Sequence, residues 1–246
     1  MGKAVAKKEE TALAVSMEAD AGGGLGDMGT EDLAIPFLRI LQKMSPQLSK
    51  RDGAYVEGSE EGQILNTVSS QLFDGIRVVP VAYQRRHIEW KSRDSGGGFV
   101  RAFAKGEELP TTTPDERGKD ITEAGNQLTP TAEHYVLLVK DDGTYEQCVL
   151  TMSSTQLKHS RKWNSMVSMK KMQGANGTFT PPRYSHYYRL DTFEESNDQG
   201  AWMSWQISDD GVLDSEELYA AAKGFSEAVL AGSTQAKHVA DDEIPF

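Results

Sequence analysis

Cys148 is the only cysteine among 246 residues. That excludes a disulfide framework and a cysteine-rich zinc site. No window approaches 18 consecutive apolar residues, so no membrane-spanning helix is expected. Residues 1–16 carry basic side chains but lack the apolar run of a secretory signal. Neither a G-x-x-x-x-G-K-[ST] loop nor a Rossmann glycine pattern occurs, which argues against nucleotide triphosphates as ligands. His87, His134, His159, His186 and His238 are scattered without helix-face spacing, and read as surface or structural side chains rather than metal ligands. The acidic pairs Asp141/Asp142 and Asp209/Asp210 each precede a glycine and read as turns. Cys148 falls on the apolar parity of its strand and reads as core. No catalytic residue, metal or cofactor is expected, and the chain reads as an acidic, non-enzymatic protein of the bacterial cytoplasm.

The net charge of −11 conceals a strong asymmetry. Residues 1–32 carry −4, residues 33–190 carry +4, and residues 191–246 carry −11. A basic body followed by an acidic end is the pattern of a tail working against a binding face. Residues 153–190 contain Lys158, Arg161, Lys162, Lys170, Lys171, Arg183 and Arg189 and no acid. Trp163, Phe179, Tyr184, Tyr187 and Tyr188 are interspersed. Residues 76–105 add Arg77, Arg85, Arg86, Lys91, Arg93, Arg101 and Lys105 against Glu89 and Asp94. Cations interleaved with rings suit a single-stranded polyanion: ammonium and guanidinium groups meet phosphates while rings stack on bases. The competing explanation is a solvated basic surface with its aromatics turned inward.

Residues 1–32 are small, charged or glycine and read as disordered. Leu33, Phe37, Ile40 and Leu41 have helical spacing, with Pro36 in the first turn. Strands are expected at 63–68, 76–91, 99–104, 135–139, 145–152, 186–193 and 201–208. In 76–91 the apolar parity switches, and one extra residue near 84–86, a β-bulge, would reconcile the two halves. In 99–104, Phe99, Arg101 and Phe103 share one parity opposite Val100, Ala102 and Ala104. Residues 105–133 read as a long mobile loop. Asp141-Asp142-Gly143 is a hairpin turn. Helices are expected at 155–172 and at 214–231, the latter capped by Asp214 or Ser215. Residues 33–231 thus form a mainly β domain with inserted helices, best matched by a small OB-fold-like barrel, with a β-sandwich as the competitor. Residues 232–246 are an acidic tail.

The chain ends Asp241-Asp242-Glu243-Ile244-Pro245-Phe246. Three carboxylates precede a stiff apolar tripeptide whose ring and terminal carboxylate suit a pocket with a basic clamp. This end resembles the acidic tip of bacterial single-stranded-DNA-binding proteins, which finishes Asp-Asp-Asp-Ile-Pro-Phe; only Glu243 differs. The overall layout is similar to phage-encoded proteins of that class, which join an elaborated OB domain to an acidic tail. The resemblance implies that Asp241–Phe246 dock replication, recombination or repair proteins. The expected DNA contacts are Arg85, Arg86, Trp90, Lys91, Arg93, Phe99, Arg101, Phe103, Lys158, Arg161, Lys162, Trp163, Lys170, Lys171, Arg183, Tyr184, Tyr187 and Tyr188. Sequence-nonspecific protection of single strands is the expected function. A strand-annealing mediator, a magnesium nuclease and a non-DNA adaptor are the alternatives.

Overall fold

The computed structural model describes residues 13–24, 26, 32–92, 95–198 and 200–238. Two compact units are present, one ending at Ala34 and the other beginning at Ile35. In the first, residues 13–19 are helical and every described residue is exposed.

The second unit is mainly β, with a curled half-barrel sheet and few helices. Its strands are β1 (Leu38–Ile40), β2 (Ile64–Asn66), β3 (Leu72–Phe73), β4 (Gly75–Trp90), β5 (Phe99–Phe103), β6 (Thr112–Pro114), β7 (Asp120–Thr122), β8 (Gln127–Val139) and β9 (Tyr145–Ser153). Helix α1 (Leu157–Ser168) is followed by β10 (Met172–Gly174), β11 (Gly177–Phe179), β12 (His186–Asn197), β13 (Gly200–Val212) and helix α2 (Glu216–Leu230). The main sheet runs β13-β12-β4-β8-β7-β6, with β5 added to β4 and β9 to β8. β4 and β8 pair antiparallel from Arg77↔Val139 to Trp90↔Gln127. One end of β4 pairs with β12 (Tyr188↔Val78) and the other with β5 (His87↔Phe103). A strand that changes partner along its length is how such a sheet curls.

Both faces of this sheet are covered. On one, Ile76, Val78, Ala132, Val136, Cys148, Leu150 and Met152 pack with Leu38 and Ile64 of the small β1-β2-β3 sheet and with Leu157 and Trp163 of α1. On the other, Val79, Val81, Tyr135, Leu137 and Val149 meet Leu218, Ala222, Phe225 and Val229 of α2. The expected bulge in β4 exists, but at Val81: Pro80 faces Val136 and Ala82 faces Tyr135, leaving Val81 as the extra residue. Upstream of it Ile76 and Val78 belong to the α1 side; downstream Tyr83 does. Because β4 is buried on both faces here, hydrophobicity alone placed the parity switch a few residues late.

Three further expectations need correction. The helix expected from Leu33 to Leu41 is extended backbone ending in β1: Leu41 N donates to Gln63 O, Val149 N to Pro36 O, and Phe37 bridges Val149. The short apolar run fits either period, and tertiary pairing decided it. The loop 105–133 contains the β6–β7 hairpin and the first half of β8. Pro130 sits inside β8 opposite His87, a position where proline is uncommon in a paired strand. In β5, Glu89 pairs with Arg101 and Trp90 with Phe99, so Val100 is bulged and the expected Phe99–Arg101–Phe103 row is broken. The Asp-Asp-Gly turn forms as read: Gly143 has φ +84°, and Asp142 Oδ1 accepts from Thr144 N at 2.9 Å. Ser215 is the cap of α2, its hydroxyl accepting from Leu218 N at 3.2 Å.

Trp163 is fully buried in the first core, whereas Ser215 acts only at a helix end. Trp163→Ala is therefore expected to cost about 3–5 kcal/mol and Ser215→Ala about 1 kcal/mol. Urea unfolding of the two variants checks this, and comparable losses would contradict the packing described.

Candidate nucleic-acid interface

Several aromatics expected to stack on bases are core side chains. Trp90, Phe103, Trp163, Tyr187 and Tyr188 are all buried. The reason is that both faces of the sheet are covered, so even residues flanked by cations turn inward. Trp163 stacks on His134 with centroids 4.7 Å apart and planes at 15°, and Tyr188 meets its edge at 5.8 Å. Burial, then the nearby Asp209, push the Tyr188 hydroxyl up to about 12. Tyr187 donates to Asp214 Oδ1 at 2.9 Å under the guanidinium of Arg77. Tyr184 is half-buried against Tyr219. Phe99 is also half-buried, and it is the expected stacking ring that stays on an edge ribbon.

Arg183 is an internal strut rather than a phosphate contact. Its Nη2 donates to His134 Nδ1 at 2.9 Å and its Nη1 to Asn164 Oδ1 at 2.9 Å. Guanidinium can only donate, so Nδ1 accepts and the remaining proton of a neutral imidazole lies on Nε2, 2.8 Å from Ser160 Oγ. Burial, then Arg183, hold His134 well below its ordinary range, and burial brings Arg183 down to about 10.

The basic surface is less open than its composition suggests. Lys158 pairs with Glu195 (2.8 Å), Lys170 with Asp209 (2.6 Å), Arg189 with Asp191 (2.9 Å) and Arg77 with Asp210 (2.6 Å). All four acids lie on β12–β13, in the part counted as the acidic end. Arg101 pairs with Glu107, and Arg86 with buried Glu133 at 3.2 Å. Among the described residues Arg85, Lys91, Arg161, Lys162 and Lys171 have no ion pair; all five are exposed. Arg93 and Asp241 to Phe246 lie outside the described residues.

Two groups emerge. Arg161 and Lys162 are neighbours on the exposed side of α1. Arg85, Lys91, Phe99 and Arg101 belong to the β4–β5 ribbon, whose connection is closed by Lys91 N donating to Gly98 O at 2.9 Å. Beside the ribbon lies a cavity of about 240 Å³, lined among others by Arg39, Trp90, Thr131, Ser153, Trp202 and His238. Trp90 Nε1, Ser153 Oγ and Trp202 Nε1 are buried there without a hydrogen-bond partner. Sequence reading missed this site because its residues come from β1, β4, β8, β9, β13 and the segment after α2; no local pattern joins them.

Residues 5–235 match the model of the Pam3 phage gp34-like protein family. The chain belongs to the Pam3 phage gp34-like family. No curated protein and no solved structure gives a significant match. The matched span takes in every strand among the described residues together with α1 and α2, and stops short of His238 and the terminal hexapeptide. No cluster of three or more potential metal ligands occurs among the described residues. No helix among them is long and apolar enough to cross a membrane.

The His134–Arg183 strut has a pH signature. An imidazole held below its ordinary value of 6.5 stays neutral in the fold, while the unfolded chain takes up a proton below that pH. Stability is therefore lost as pH falls through about 6.5. His87 and His186, also lowered chiefly by burial, act in the same direction. Denaturant midpoints should fall between pH 8 and pH 5, and His134→Gln should flatten that slope while lowering the midpoint at pH 8. An unchanged slope would contradict the neutral, buried imidazole.

Proposed function

We propose that this gp34-like protein is a non-catalytic binder of single-stranded DNA from a phage replication module. In this reading its half-barrel serves as an OB-like binding domain over residues 33–231. The observation that carries the reading is a combination within one chain. The terminal Asp-Asp-Glu-Ile-Pro-Phe resembles the tip of bacterial single-stranded-DNA-binding proteins, and the curled antiparallel sheet offers a ribbon that carries Phe99 on its Trp90 face, Arg85 and Arg101 on the opposite face and Lys91 at its end. The family match to a phage protein is consistent with it.

In this mechanism cations of the ribbon and of α1 replace counterions along the phosphates, which makes binding steeply salt-dependent. Phe99 stacks on a base, worth about 1–3 kcal/mol. Neither contact reads a base edge, so little sequence preference comes from them. Asp241 to Phe246 recruit replication or repair proteins, and the acidic end competes with DNA for the basic surface. The lysines already paired with β12–β13 contribute less, since strand binding there must first displace a carboxylate.

Log K should fall with log[salt] at a slope near −0.7 per phosphate neutralised. Phe99→Ala should weaken oligo-dT binding by about 1–3 kcal/mol while lowering the melting temperature less than Phe103→Ala does. Phe103→Ala, at a buried position, should chiefly lower stability. Fluorescence titration and thermal melting separate the two, and a salt-independent affinity would falsify phosphate tracking. Deleting Asp241–Phe246 should leave DNA affinity equal or tighter, most visibly at low salt, where screening is weakest. It should also abolish capture of host replication proteins; a truncation that binds DNA more weakly contradicts the competition.

A further inference from the structure

The segment following α2 runs back across the sheet on the α2 side. Ala236 N donates to the Tyr135 hydroxyl at 3.0 Å, and that hydroxyl donates to Glu133 Oε2 at 3.1 Å. Two residues on, the ring of His238 enters a box of three aromatic side chains. It lies nearly parallel to Phe99 (5.3 Å, 22°), edge-on to Trp90 (5.7 Å, 82°) and tilted against Phe37 (5.0 Å, 42°). Its Nε2 is 3.5 Å from Glu133 Oε1, and its side chain is 4% exposed.

The Phe37–Trp90–Phe99 box, we propose, is a nucleobase site that His238 occupies in cis. This rests on the strand-binding reading and adds to it a ligand class and a competitor. Imidazole is the side chain that most resembles a base: flat, aromatic, with nitrogen at its edge. The offset-parallel contact with Phe99 is the geometry in which a base stacks on a ring. The groups at the rim are those that read a base edge. Glu133 is a carboxylate held by Arg86 and Tyr135, and a carboxylate accepts from an exocyclic amino group such as that of cytosine. The Trp90 indole N–H is buried without an acceptor and can donate to a ring nitrogen or carbonyl. The adjoining cavity of about 240 Å³, with the Ser153 hydroxyl also lacking a partner, leaves room for a group larger than imidazole. The ligand class is therefore an amino-bearing base of a single strand, favoured over thymine. A base enters when the 231–238 segment peels away, so strand binding at the ribbon and release of the C-terminal end are one event.

The test uses the full chain, its His238→Ala variant and the double variant His238→Ala/Phe99→Ala, titrated with oligo-dC and oligo-dT of equal length at one salt concentration. His238→Ala should bind oligo-dC about tenfold more tightly than the wild type and gain less with oligo-dT. The double variant should lose that gain. Thermal melting must show that each variant is folded; His238→Gln, which keeps polarity without the aromatic ring, repeats the test if alanine unfolds the end. Unchanged or weaker oligo-dC binding by folded His238→Ala, or an equal gain with both oligonucleotides, would overturn the proposal while leaving the strand-binding reading intact. If no variant binds either oligonucleotide, that reading fails by itself. Deoxycytidine then decides the box: saturable quenching of tryptophan fluorescence in His238→Ala but not in the wild type supports it, and no quenching in either overturns it.

Discussion

β4 must serve two layers and three neighbouring strands, and the extra residue at Val81 is what allows it. Without the bulge, Ile76 and Val78 would fix one parity along the whole strand and turn Tyr83 away from the α1 side. With it, the lower half of β4 supports the α1 core while Ile88 and Trp90, at the far end, form a separate small cluster with Phe99 and Ala102. The ribbon that carries Phe99 exists because the upper half of β4 has left β12 and taken β5 as its partner. The fold thus produces the candidate interface as a by-product of its own curvature.

The second organising feature is the placement of charge. β12–β13 is acidic, and its carboxylates reach Arg77, Lys158, Lys170 and Arg189. Surface pairs of this kind contribute little to stability, but they decide which cations face solvent alone. Glu195 illustrates the balance. Burial works to raise its carboxyl, yet hydrogen bonds from Lys158, Ser204 and His159 outweigh that and hold it down at about 2. The effect is to move the open positive charge toward the β4–β5 ribbon and the outer side of α1.

Much of the fold was legible in the sequence. The strands at 135–139, 145–152, 186–193 and 201–208, the Asp-Asp-Gly turn and the capped last helix follow from apolar patterning and from turn and cap chemistry, all local, whereas the β10–β11 hairpin was not read and the helix expected to run to 172 ends at Ser168. What was not legible depends on contacts between distant segments. Leu33 to Leu41 fits a helix until Val149 and Gln63 offer hydrogen bonds to it. Pro130 holds a position where proline is uncommon, in a strand for which β4 provides the template. Trp163 and Arg183 read as a stacking ring and a phosphate contact because sequence shows what flanks them, whereas their partners, His134 and Asn164, are found only in three dimensions. The box around His238 draws on Phe37, Trp90, Phe99 and Glu133, which no window of sequence contains together.

Amide hydrogen exchange of the intact protein with and without a saturating oligonucleotide tests the central claim most directly, because it reports the binding face and the C-terminal segment in one experiment. The account predicts slower exchange on the β4–β5 ribbon, residues 85–92 and 95–103. It also predicts faster exchange at Ala236, whose N–H is held by the Tyr135 hydroxyl in the free protein. Unchanged exchange on the ribbon, with protection confined to β12–β13 or absent altogether, would contradict it.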